Sequence, residues 1–128
     1  MSILAPISAG ELVDKITILR VKAERIGDAA KEANVRKELA LLEGIAAEKL
    51  TPSAELDRLT AELTDINAAL WDIEDGKRAC ERRQEFGPEF VQLARRVYMD
   101  NDKRAAVKRQ INALTGSDIV EEKSYKPY

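Results

Sequence analysis

From Leu56 to Cys80 the chain reads Leu56, Leu59, Leu63, Ile66, Leu70, Ile73, Lys77, Cys80, in steps of three and four that alternate without a slip. Only an α-helix returns such positions to one side, and only a partner surface makes an apolar ridge of that length worth keeping. This run predicts a helix over about 52–84, roughly 45 Å long at 1.5 Å per residue. Thr51 can cap it and Pro52 suits its first position.

The preceding segment predicts another long helix, about 9–49. Ser8-Ala9-Gly10-Glu11 is a capping box, in which the Ser8 hydroxyl takes the Glu11 amide and the Glu11 carboxylate reaches back. Leu12, Ile16, Leu19, Ala23, Ile26, Ala30 and Ala33 continue as a seam. Gly27-Asp28 is its weak point, where a kink or short break fits. Beyond it Val35, Leu39, Leu42, Ala46 and Leu50 form a seam turned to a slightly different direction. A short connection between two such rods predicts an antiparallel coiled-coil hairpin. Phe86-Gly87-Pro88 stops the second rod and starts a third helical segment, about 88–115, which Gly116 closes. Phe90, Leu93, Ala94, Val97 and Tyr98 share one of its faces, and Val107, Ile111 and Leu114 belong to its last stretch. The tail, 116–128, has no period, but Ile119, Val120 and its two tyrosines can strap it across the helices. The expectation is one all-α domain over residues 1–128.

The first helix carries more than one stripe. Opposite Leu12, Ile16, Leu19 and Ala23 lie Asp14, Ile18, Val21 and Arg25. Two β-branched apolar residues flanked by a complementary charge pair make a poor solvated face. That face calls for a second cover, either the third helical segment or a second copy of the chain, and a homodimer is expected.

Composition removes several chemistries. The chain has no histidine, so imidazole metal sites and His-based nucleophilic catalysis are absent. Its one cysteine, Cys80, lies on the seam and reads as a small buried hydrophobe. No cofactor and no metal site is expected. The formal net charge of −2 makes nucleic acid an improbable partner. The start, MSILAPIS, is too short and lacks the basic residues of a signal peptide, and nothing approaches a membrane span, so a cytoplasmic protein is expected.

Polar residues interrupt the third segment. If its helix runs on past Tyr98, the stripe from Phe90 to Val97 places Asn101, Arg104 and Lys108 on the inward side. Either the helix breaks at Asp100-Asn101-Asp102 and resets, or it continues and its cations line an inner polar site, paired with carboxylates or an anion. Residues 86–115 hold Arg95, Arg96, Lys103, Arg104, Lys108 and Arg109 against Glu89, Asp100 and Asp102, whereas 51–85 is acidic. Docking of the two faces explains this, and so does a phosphorylated or carboxylated ligand. A second cluster, Trp71-Asp72-Ile73-Glu74-Asp75-Gly76-Lys77-Arg78, offers either a core-capping tryptophan beside a solvated charge ladder or a stacking surface beside an ion-pair network. Arg78 can pair there with Glu74 or Asp75. Gly76 in mid-helix is a cost unless something packs closely on its backbone. The candidate ligand-binding residues are therefore Asp14, Arg25, Trp71, Asp75, Arg78, Tyr98, Asn101, Arg104 and Lys108.

GELVDKITIL, LWDIEDGKR, FVQLARRVYMDNDKRAAVKRQIN and GSDIVEEKSYKPY together resemble a family of small bacterial all-helical proteins of unknown function. The resemblance covers nearly the whole chain. It implies an independent helical domain and an association of relatives with glycan or sugar-transfer polypeptides, and it assigns no site residue. A looser similarity to the all-helical chorismate mutases, which hold a dicarboxylate with Arg and Lys, rests on Arg20, Lys22 and Arg25 with Arg104 and Lys108. The spacing carries no residue roles over. Two functions follow as expectations: a non-enzymatic, self-associating binding or scaffold module, and a binder of a small anionic ligand or a His-free enzyme using the Arg/Lys/Asp cluster.

Overall fold

The computed structural model describes residues 1–128 and is all-α. Four helices run up, down, up and down: α1 (Ala9–Arg25), α2 (Ala29–Lys49), α3 (Ala54–Arg83) and α4 (Pro88–Thr115). The helix expected over 9–49 is thus two. Ile26 and Asp28 take extended backbone, and the Asp28 carboxylate accepts the Lys31 amide at 3.0 Å as the cap of α2. The weak point at Gly27-Asp28 is a full reversal, because a capped restart stabilises α2 better than a distorted bend would. α3 starts at Ala54 rather than at Pro52, since the Ser53 hydroxyl takes the Leu56 amide at 3.0 Å. It ends at Arg83, with Gln84 in the left-handed conformation. Gly116 (φ 66°) closes α4.

The reversal moves the hairpin. α2 lies along α1 and touches neither α3 nor α4. Leu12, Ile16 and Leu19 pack on Leu39, with Val35, Leu42, Ala46 and Leu50 around them. So the second half of the expected first rod, not the second rod, covers the first stripe. The opposite side of α1 is covered by α3 and α4: Val13 packs with Leu56, Leu59, Leu63, Val107 and Ile111. One chain supplies covers for both sides, though Ile18 stays half-buried. α1, the shortest helix, is the central one, and it touches each of the other three.

α4 is continuous through Asp100-Asn101-Asp102. Its register does not reset, and Leu114 is exposed while Val107, Ile111 and Asn112 are buried. Phe90, Leu93, Ala94 and Val97 are half-buried, and Gly76 of α3 receives Leu93: a methyl group at Gly76 would sit 3.0 Å from Leu93 Cδ1. The close packing that would justify a mid-helix glycine is present there.

Candidate functional site

Asp14 is fully buried at the centre of the bundle. A carboxylate there costs several kcal/mol unless charge and hydrogen bonds compensate it. Arg104 of the continuous α4 supplies both: Nε donates to Oδ1 at 2.9 Å and Nη2 to Oδ2 at 2.5 Å, the two-pronged fit of a guanidinium on a carboxylate. Asn67 of α3 donates to Asp14 Oδ1 at 2.9 Å and to Thr17 Oγ1 at 2.9 Å. The Thr17 hydroxyl donates to the Asp14 carbonyl at 2.8 Å. Asp14 hydrogen-bonding and charge hold the Arg104 guanidinium above its ordinary range, against the opposing effect of burial, so it stays cationic. No buried side-chain polar atom in the structure lacks a partner.

One helical turn toward the start of α1 the network continues. Lys108 donates to Glu11 at 2.6 Å and lies 3.6 Å from Glu121 and 3.9 Å from Asp14. Glu11 therefore does not complete the expected capping box: Ser8 takes the Glu11 amide at 3.0 Å, but the Glu11 carboxylate turns to Lys108 instead of reaching back. The free amides that open α1 are satisfied from far along the chain. Gly10 donates to Asn112 Oδ1 at 2.6 Å and Ala9 to Ser117 Oγ at 3.3 Å. Glu121 anchors the tail, taking hydrogen bonds from the Ser8 hydroxyl and, at 2.9 Å, from Asn112 Nδ2. It also places a negative charge at the positive end of α1.

Burial would raise the Glu121 carboxyl, but Ser8, its own backbone, Asn112 and Lys108 outweigh that and hold it below its ordinary value of 4.5. A carboxyl held low in the folded state contributes stability above its unfolded value and loses it as pH falls through the lowered one. The tail is therefore expected to be latched at neutral pH and released in acid, as pH falls below the ordinary carboxylate range. Amide exchange of residues 117–123 measured at neutral and acid pH checks this, and Glu121→Gln is expected to raise exchange at pH 7 and flatten its pH dependence.

Beyond the latch the tail lies along α4. Asp102 is held below its ordinary value by Lys123, 3.0 Å away, and then by the Tyr128 hydroxyl. Tyr128 meets Tyr98 edge to face at 5.2 Å. A cleft of about 630 Å³ lies between α4 and the tail, with Tyr98, Asn101, Arg104 and Lys108 on its helical wall. A second cleft, of about 390 Å³, lies between α1 and α3. Ile18, Leu70 and Trp71 are its apolar lining, and Asn67, Glu74, Asp75, Arg78 and Arg104 its polar lining. Arg104 is the wall shared by both.

The structure thus divides the nine candidates. Asp14, Asn101, Arg104, Lys108 and Tyr98 gather on one side of the polar centre, and Trp71, Asp75 and Arg78 on the other. Arg25 joins neither and pairs with Asp72 at the rim. Neither pairing open to Arg78 forms: Lys77 takes Glu74 at 3.2 Å, and Arg78 has no ion pair. Arg20 faces Glu43 of α2 at 3.7 Å, so the cations of α1 do not converge with Arg104 and Lys108 as a dicarboxylate site would need. Sequence reasoning missed Thr17, Asn67, Asn112 and Glu121. The one signal available was an asparagine directly following a seam residue in Ile66-Asn67 and Ile111-Asn112. No group of three or more carboxylates or thiols is placed to hold a metal ion, and no helix is long and apolar enough to cross a membrane.

A family model described as a family of unknown function, DUF6165, matches residues 3–128. No curated protein and no solved structure matches the chain.

Proposed function

The chain belongs to this family of unknown function, and we propose that it is a non-enzymatic binding and scaffold module that self-associates through its N-terminal segment. The carrying observation is where apolar surface remains once the helices are packed. Met1, Ile3, Leu4 and Ile7 precede α1 in a segment without regular secondary structure, Met1, Ile3 and Leu4 almost wholly exposed and Ile7 42% exposed. Four large apolar side chains within seven residues are a costly surface for an isolated chain. Meanwhile the charged centre is satisfied internally, with its carboxylates and cations spent on fixing α1, α3, α4 and the tail.

The cleft lined by Ile18, Leu70 and Trp71 offers such a segment apolar contacts. Each copy carries one segment and one such cleft, so a two-fold exchange closes without leaving either open. Light scattering over a concentration series tests this. The wild-type chain is expected to approach twice its 14.3 kDa, and Ile3→Asp/Leu4→Asp to stay at one chain mass. At concentrations well below those at which the wild type associates, the double variant should unfold within about 0.5 kcal/mol of it, because the segment contributes nothing to the packed interior. Trp71 emission should shift with concentration in the wild type only. A wild-type chain that remains monomeric at about 100 µM, where a contact of about −5.5 kcal/mol would be half formed, would end this reading.

A further inference from the structure

We propose that the cleft between α4 and the C-terminal tail is a binding site for a small phosphate ester carried on a planar ring. This inference stands apart from self-association, which uses other residues. The cleft has the volume of a small-molecule site. Four cations line it, Arg104, Lys108, Lys123 and Lys126, against one carboxylate, Asp102. That imbalance stands out in a chain whose net charge is −2.

The four cations are not equally available. Asp14 holds Arg104 from behind the wall, and Glu11 holds Lys108. Lys123 is paired with Asp102 at the mouth. Lys126 alone of the four has no ion pair, so its ammonium is the one left to meet an added anion. A compact ammonium suits a phosphate oxygen as a point charge, whereas the two-pronged face of Arg104 that would select a carboxylate is already filled by Asp14. The other component of the lining is aromatic. Tyr98 on α4 and Tyr125 on the tail are 45% and 85% exposed and both line the cleft, Tyr98 meeting the edge of Tyr128 and Tyr125 lying under the Lys123 ammonium at 5.9 Å. Phosphate at Lys126 and Lys123 with a ring against the tyrosines accounts for both halves of the lining.

Phenyl phosphate is the probe, followed by amide chemical shifts of the full chain, with inorganic phosphate and phenol as the separated halves. Phenyl phosphate is expected to shift the amides of residues 98, 101, 104–105, 123–126 and 128 and to bind more tightly than either half. Raising salt should weaken it. Lys126→Ala, at an exposed side chain the fold does not use, is expected to weaken it about threefold or more, and Tyr98→Leu to remove its advantage over inorganic phosphate. Arg104 is avoided because its loss would threaten folding. Shifts elsewhere in the chain, no shift at 10 mM phenyl phosphate, or an unchanged Lys126→Ala would each overturn the proposal. Phenol binding as tightly as phenyl phosphate would remove the anion from it, and inorganic phosphate doing so would remove the ring; either also overturns it.

Discussion

Replacing Arg104 with methionine is expected to destabilise the chain by about 3 kcal/mol, enough to lower its melting temperature by roughly 10 °C. The reason lies in Asp14. Its carboxylate is wholly out of water, and Arg104 supplies two of its hydrogen bonds and its nearest positive charge. Breaking a buried pair from one side costs about 3–5 kcal/mol, because the remaining charge cannot be rehydrated. The lower end applies here: Asn67 still donates to Oδ1, and Lys108 remains 3.9 Å from Oδ2. Methionine keeps most of the apolar stem of arginine, so packing loss is held small. Removing the carboxylate as well separates the two accounts. Asp14→Asn with Arg104→Met should be clearly more stable than the sum of the single changes predicts, with a coupling of about 2 kcal/mol in urea denaturation. Strictly additive losses would mean that the guanidinium acts only through its stem.

The same pair explains how much of this fold was legible beforehand. The ridge from Leu56 to Cys80 was readable as one side of one helix, since its spacing has a local cause, although Ile66 and Leu70 are only half-buried and Asn67 turns inward beside them. Leu63, Ile73 and Cys80 are buried as that spacing requires. α2 was harder. Leu39 is its only fully buried residue while Leu41 and Ile45 face solvent, so the 9–49 segment reads as one continuous rod with a soft spot. The signal that it reverses was the cap at Asp28, which a reading by apolar spacing passes over. Whether α4 runs through Asp100-Asn101-Asp102 could not be read locally at all. Those residues cap helices well, and they also sit comfortably on a solvated surface. What decides is Asp14, ninety positions earlier, which makes an inward Arg104 favourable. Asp14 in turn read as one end of a charge pair with Arg25 on a face needing cover, and its partner is Arg104 instead, because spacing reports the direction of a side chain and not what waits there. Asn67 and Asn112 were invisible for a related reason: a single buried polar residue beside a seam has the pattern of an exposed one.

Gly10 carries the second large effect, and its cause is contact rather than charge. It opens α1 directly against α4. A methyl group at Gly10 would lie 2.5 Å from the Lys108 carbonyl oxygen and 2.9 Å from Asn112 Oδ1. The nearer atom is backbone in the middle of a helix and cannot swing aside. Gly10→Ala must therefore push α1 away from α4, and three things loosen together: the Gly10 amide bond to Asn112, the Lys108 pair with Glu11, and the Glu121 latch against Ser8. Overpacking of this kind costs about 1–3 kcal/mol, and the gain in helix propensity, under about 1 kcal/mol, is too small to offset it. A net loss of about 2 kcal/mol in urea or thermal unfolding is expected, together with faster amide exchange in residues 117–123. Gly44 is the control. It sits in the body of α2 with nothing within 4 Å of an added methyl, so Gly44→Ala should stabilise the chain by about 0.5–1 kcal/mol. Opposite signs for the same substitution in two helices would locate the α1–α4 contact at Gly10. If Gly10→Ala were neutral, α1 could not lie against the Lys108 carbonyl, and the route by which Asp14, Glu11 and Ser8 reach α4 and the tail would have to be redrawn.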